Sequence, residues 1–152
     1  DTYNIGSIFR LADAVGAKKV YLCGETETPP NSRIKKASIN TTEWVDWEWC
    51  ETAMEAISRI TSEVKKMRLH LGGGTLQVVA VEQSPKSIQY DKFEYKMPIC
   101  LVVGHESDGV SEEVLEVADG IVEIPMFGVN KSLNVMVSLG IVLYEVIEKT
   151  QK

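Results

Sequence analysis

The chain has 152 residues, 44% of them hydrophobic and 25% charged, with a formal net charge of −6 and a pI near 5.0. This is ordinary for a globular domain with a real core. It excludes a histone-like, generally basic nucleic-acid binder and leaves room for a local basic patch.

In chain order, Ile8, Leu11, Ala12 and Val15 recur at helical spacing across residues 5–16, with Asn4 as N-cap and Gly16 as a stop. Residues 20–23 read as a short buried strand. Residues 24–43 are rich in Thr, Pro, Ser, Asn and Lys, and Thr28, Pro29 and Pro30 predict a long irregular loop of a functional kind. Alternation over residues 44–49 predicts a strand with Val45, Trp47 and Trp49 on one face. The three tryptophans are expected in the core or a subunit contact rather than stacked on bases.

Residues 51–68 form an amphipathic helix with Met54, Ile57, Ile60, Val64 and Met67 inward. A turn at Gly72–Gly74 precedes a strand over 76–81; residues 83–97 are mostly loop, and 99–103 are a strand. Ser111 caps a helix over 111–118, residues 121–124 are a strand, and Ser132 caps a final helix over 132–149. That helix is apolar nearly all round, which predicts burial on several sides and a second subunit. Alternating helices and Val/Ile-rich strands give an α/β domain with a mostly parallel sheet flanked by helices. The first helix has no strand before it, so a strand is expected upstream of residue 1.

Three cysteines, Cys23, Cys50 and Cys100, are widely spaced, with no Cys-x-x-Cys pair and no Cys/His cluster. Buried thiols at Cys23 and Cys100, no metal and a reducing, cytoplasmic setting are expected. No signal peptide and no apolar run of the ~18 residues needed for a span is present, so no membrane association is expected.

Three segments hold chemistry-bearing residues. The first is NIGSIFR, residues 4–10, where Gly6 permits close approach and Arg10 is placed to clamp a phosphate. The plain alternative is a capped helix with a solvated arginine. The second is GHESDG, residues 104–109, beyond a strand end, where parallel α/β sheets bind ligands. It is neither a Walker A loop nor a Gly-x-Gly-x-x-Gly fingerprint. His105 there either touches substrate or fills the turn, the second being favoured. The third is IPMFGVNKSLN, residues 124–134, leading into the last helix.

Together and in this order, these segments resemble motifs 1, 2 and 3 of the SpoU (TrmH-like) branch of the SPOUT RNA 2′-O-ribose methyltransferases. The matching residues are Asn4, Gly6 and Arg10; Gly104, Glu106 and Gly109; and Ile124, Pro125, Met126, Gly128, Ser132, Leu133 and Asn134. The resemblance implies a single domain over residues 1–152, with a trefoil knot near its C-terminus. It implies S-adenosyl-L-methionine bound by Val103, Gly104, Glu106, Ile124, Met126, Gly128, Ser132 and Leu133. Arg10 would be the central catalytic residue, with Asn4, Glu106, Ser132 and Asn134 positioning the reacting groups. A homodimer through the C-terminal helix is implied too.

Arg33, Lys35 and Lys36, beside Lys18 and Lys19, are the best candidates for RNA phosphate contact, and Arg10 would join them. The expected function is S-adenosylmethionine-dependent 2′-O-ribose methylation of tRNA or rRNA. The alternative is a non-catalytic RNA- or cofactor-binding module with the same fold. A nucleotide-binding hydrolase ranks below both, since P-loop, Ser/His/Asp pattern and metal cluster are all missing.

Overall fold

A computed structural model describes residues 1–151; the last residue of the expected domain, Lys152, lies outside them. The chain divides into two compact units, residues 1–56 and 57–152. The sheets of both are parallel, as the Val/Ile-rich strands predict.

The first unit begins with α1, Thr2–Ala14. Its N-cap is Asp1, whose carboxylate accepts from the Tyr3 N–H at 2.9 Å. This corrects the expectation for Asn4: a better-placed acid starts the helix earlier, and Asn4 is turned inward, 8% exposed. Strand β1, Val20–Cys23, pairs in parallel with β2, Trp47–Cys50, so that Cys23 lies opposite Cys50. Between them the expected loop contains a helix, α2, Ser32–Ser38, and a 3₁₀ turn, Thr41–Glu43. The prolines exclude only the residues around themselves. Directly after them the Asn31 side chain caps α2 by accepting from the Arg33 and Ile34 N–H groups.

Ile5, Phe9 and Ala12 from α1 join Leu22, Ile34 and Val45 in this unit's core. The tryptophans depart from the predicted face. Trp47 is half-buried against the core, while Trp44 and Trp49 are exposed. Their indole N–H groups stay near the surface because each has a polar partner, Asp13 Oδ1 at 2.7 Å for Trp44 and the Gly24 carbonyl at 3.0 Å for Trp49.

The unit boundary falls early in α3, Ala53–Leu71. Ala56 is buried and Met67 is exposed, so the inward stripe is shorter than the pattern predicts. The second unit's strands are β3 (Gln77–Val81), β4 (Ile88–Gln89), β5 (Ile99–Val103) and β6 (Gly120–Glu123), in the order β4-β6-β3-β5. The two-residue β4 lies inside the predicted 83–97 loop. Asp119 joins β3 to β6: its carboxylate accepts from the Val78 N–H at 2.7 Å and its own N–H reaches the Val78 carbonyl at 2.8 Å.

Helix α4, Glu112–Val117, begins after Ser111, whose side chain makes no capping bond. Helix α5 runs Val135–Thr150 and buries Leu139, Val142 and Val146. Val142 and Val146 meet Val79, Val122 and Tyr95 in this unit's core. The N-cap of α5 is Asn134, accepting from Met136 and Val137, and not Ser132 as expected. The Ser132 N–H and hydroxyl both turn to the Asn130 side chain, which fixes the loop ahead of the helix. Among the described residues no helix is long and apolar enough to cross a membrane.

Candidate active site

In the first unit, Asn4 and Arg10 share α1 and face differently. Asn4 is buried, whereas Arg10 is exposed and has no acidic partner among the described residues. Gly6 serves packing: a Cβ there would stand 2.5 Å from Ala37 Cβ and 2.8 Å from both the Ile34 carbonyl oxygen and the Ser38 nitrogen. The close approach it permits is that of α2, not of a ligand.

On α2, Ile34 and Ser38 point inward, leaving Arg33 and Lys36 on one exposed side, one turn apart. Lys35 lies on another side and pairs with Glu43 at 3.5 Å, a contact hidden from a reading that took the segment as loop. Lys19 pairs with Glu48 at 2.5 Å, so it does not extend the patch.

In the second unit, residues 104–110 form a tight turn at the carboxyl end of β5. His105 and Gly109 exchange backbone hydrogen bonds of 3.1 and 2.9 Å. Gly109 has φ +68°, and a Cβ on Gly104 would stand 2.0 Å from the Gly109 carbonyl carbon, so both positions require glycine. His105 Nδ1 lies 3.2 Å from Asp108 and accepts from the Ser107 N–H at 3.3 Å, which supports its place within the turn. Glu82, just past β3, accepts from the Val110 N–H at 2.9 Å and so holds the turn against the sheet. Sequence reasoning misses Glu82, because an acid after a strand looks like any solvated loop residue.

The turn projects Glu106, whose Oε1 accepts from Asn134 Nδ2 at 3.2 Å. One oxygen of Glu106 thus meets the residue that caps α5, joining two of the expected segments through side chains. Val103, Gly104, Ile124 and Met126 are half-buried beside them; Gly128, Ser132 and Leu133 are exposed. Phe127 and Val129 are 93% and 100% exposed, an unusual display of apolar surface beyond a strand end.

The cysteines depart from expectation: Cys50 is the buried one, while Cys23 and Cys100 are half-buried. Burial, then the neighbouring Cys50 and Glu55, push the Cys23 thiol up to about 11, which suppresses a nucleophilic thiolate at neutral pH. Among the described residues no group of three or more His, Cys, Asp or Glu is placed to hold a metal.

The model of the SpoU rRNA Methylase family matches residues 1–144, which include all three segments. The chain belongs to this family. It is 35% identical over 149 residues to the tRNA (guanosine(18)-2′-O)-methyltransferase of Aquifex aeolicus, covering 94% of this chain and 62% of that protein. It is 31% identical over 146 residues to the Escherichia coli (strain K12) enzyme of the same name, covering 94% and 57%.

Among solved structures, the AdoMet-bound rRNA methyltransferase from Sinorhizobium meliloti superposes with a TM-score of 0.81 at 29% identity, over 97% of this chain and 52% of that one. The A. aeolicus TrmH/SpoU tRNA modifying enzyme does so with 0.80 at 30%, over 98% and 70%. The chain therefore spans about 57–62% of the length of these two curated relatives. In this SpoU chain, the Gly104–Gly109 turn and the Asn134 cap are the two devices that fix the second unit's polar cluster.

Proposed function

We propose that this chain is the methyltransferase domain, residues 1–152, of an S-adenosyl-L-methionine-dependent RNA 2′-O-ribose methyltransferase acting on tRNA or rRNA. The observation that carries this reading is the family match over residues 1–144, with the three motif segments in order. The names of the relatives, tRNA and rRNA methyltransferases, point the same way.

The second unit's residues fit the cofactor by their donor set. Half-buried Val103, Ile124 and Met126 offer apolar surface at parallel strand ends, where such sheets take ligands. The Glu106–Asn134 pair adds acceptors and donors, and Gly104, Gly128, Ser132 and Leu133 complete the assignment. When bound, the cofactor supplies a methyl group on a sulfonium, a strong electrophile.

The ribose 2′-OH is a poor nucleophile and must be aligned and relieved of its proton. A guanidinium keeps its own protons, so Arg10 acts together with an RNA phosphate that it holds beside the hydroxyl to activate it. Asn4, buried on α1, holds the helix that carries Arg10. Glu106, Ser132 and Asn134 orient the reacting groups in their own unit. Exposed Arg33 and Lys36, with Lys35, supply RNA contact.

We also propose the trefoil knot, cytoplasmic action and a homodimer through α5. Exposed Val137 and Tyr144 on that helix, with Phe127 and Val129 ahead of it, are apolar surface that a second copy would cover.

The test is Arg10→Ala, assayed for methyl transfer to bulk tRNA and rRNA alongside calorimetry with S-adenosylmethionine. Transfer is expected to fall about a hundredfold or more while cofactor affinity holds. Full activity in the variant overturns the role of Arg10. Cofactor binding by the unaltered protein without transfer to any RNA favours a non-catalytic module.

A further inference from the structure

The first unit carries an open cleft of about 440 Å³ whose walls include Pro29, Pro30, Lys35, Thr42, Glu43 and Trp47. That size falls within the ~300–1,000 Å³ range of small-molecule sites. Its surfaces are of two kinds. The two proline rings and the indole of Trp47, fixed by packing against the core, are flat and apolar. The other wall is a paired charge, Lys35 Nζ 3.5 Å from Glu43 Oε1, with side chains 66% and 61% exposed. An ion pair this exposed contributes little stability, so a ligand opens it at small cost.

We propose that this cleft is a guanine-selective base pocket for the RNA substrate, in which Glu43 and Lys35 read the Watson–Crick edge. The proposal rests on the RNA methyltransferase reading above. Unpaired bases are bound by stacking on aromatic or apolar faces and by hydrogen bonds to that edge. Guanine presents two adjacent donors, N1–H and the N2 amino group, next to the O6 acceptor. One carboxylate takes both donors, and an ammonium at its side gives to O6. Adenine sets an acceptor, N1, against the carboxylate. Uracil has one donor to offer, flanked by acceptors, and cytosine has acceptors at N3 and O2.

Position supports the assignment. Glu43 is followed by Trp44, whose indole N–H donates to Asp13 Oδ1 at 2.7 Å. Asp13 is one helical turn from Arg10 on α1, so the cleft wall is tied to the helix face that carries the candidate catalytic arginine.

The experiment titrates the protein with GMP, AMP, CMP and UMP by calorimetry, with tryptophan emission as a second readout. GMP is expected to saturate near 1 mM, with the other three about tenfold or more weaker. Glu43→Gln, an exposed substitution, is expected to erase that preference while the thermal midpoint and S-adenosylmethionine affinity stay unchanged. Equal affinity for all four, no saturation by GMP at ~10 mM, or a preference that persists in Glu43→Gln overturns the pocket.

Methyl transfer by the unaltered protein to bulk RNA is measured separately. GMP preference without transfer sinks the enzyme reading and keeps the pocket. Transfer to A, C and U as readily as to G does the reverse.

Discussion

Gly6 shows how one absent methyl group shapes the first unit. Replacing it by Ala would gain about 1 kcal/mol of helix propensity. The new Cβ would, however, stand 2.5 Å from Ala37 Cβ and 2.8 Å from two backbone atoms of α2, which no rotamer change relieves. Overpacking costs about 1–3 kcal/mol and contacts this short to backbone belong at the upper end, so Gly6→Ala is expected to destabilise by about 2 kcal/mol net. Urea unfolding of the variant checks this, and a midpoint at or above that of the parent contradicts the packing account. In the sequence the glycine is plain to see but its neighbour is not. The close approach comes from a helix inside a stretch whose prolines read as loop. The same blindness hides Lys35–Glu43 and Glu82, whose partners lie 8 and 28 positions away.

At the scale of elements, caps separate what is legible from what is not. Strands β1, β3, β5 and β6 can be read within a residue, because Val/Ile runs bounded by polar loops have few alternatives, whereas β2 starts three residues later than its alternation suggests and the two-residue β4 is too short to leave a pattern. Helix starts cannot be read so closely, because several capping residues compete. Asp1 outcompetes Asn4 for α1, and Asn134 outcompetes Ser132 for α5. In the second case only the structure shows that Ser132 is already engaged with Asn130.

A stability measurement tests this directly. Asn134→Ala removes the acceptor for the Met136 and Val137 N–H groups and the bond to Glu106, and is expected to cost about 1–2 kcal/mol. Ser132→Ala is expected to stay within about 0.5 kcal/mol of the parent. If the serine variant proves the less stable of the two, the cap has been placed on the wrong residue. The two proteins would also separate capping from chemistry, since loss of transfer in Ser132→Ala at full stability would point to a role in the site.

At the scale of the whole molecule, Lys19, Cys23 and Tyr95 shift in the same direction, and each makes stability depend on pH in the same sense. The bond to Glu48 raises Lys19, chiefly against the desolvation that lowers it. Burial, then Cys50 and Glu55, raise the Cys23 thiol from 9.0 to about 11. Burial raises the Tyr95 phenol further above its ordinary 10.0, helped by Glu145, Tyr90 and Asp91. Each group keeps its proton in the folded state at a pH where the unfolded chain has released it. The folded state then binds more protons, so stability falls as pH rises. The contribution is complete below the ordinary values, 9.0 for the thiol, 10.0 for the phenol and 10.5 for the lysine, and is lost as pH climbs through the raised ones.

Unfolding midpoints in denaturant are therefore expected to be level from about pH 7 to 8.5 and to decline from about 9 to 11. Cys23→Ala should flatten the early part of that decline by about 1–2 kcal/mol. A midpoint that rises over the same interval, or an identical slope in the variant, would show that the half-buried thiol does not govern the alkaline limb.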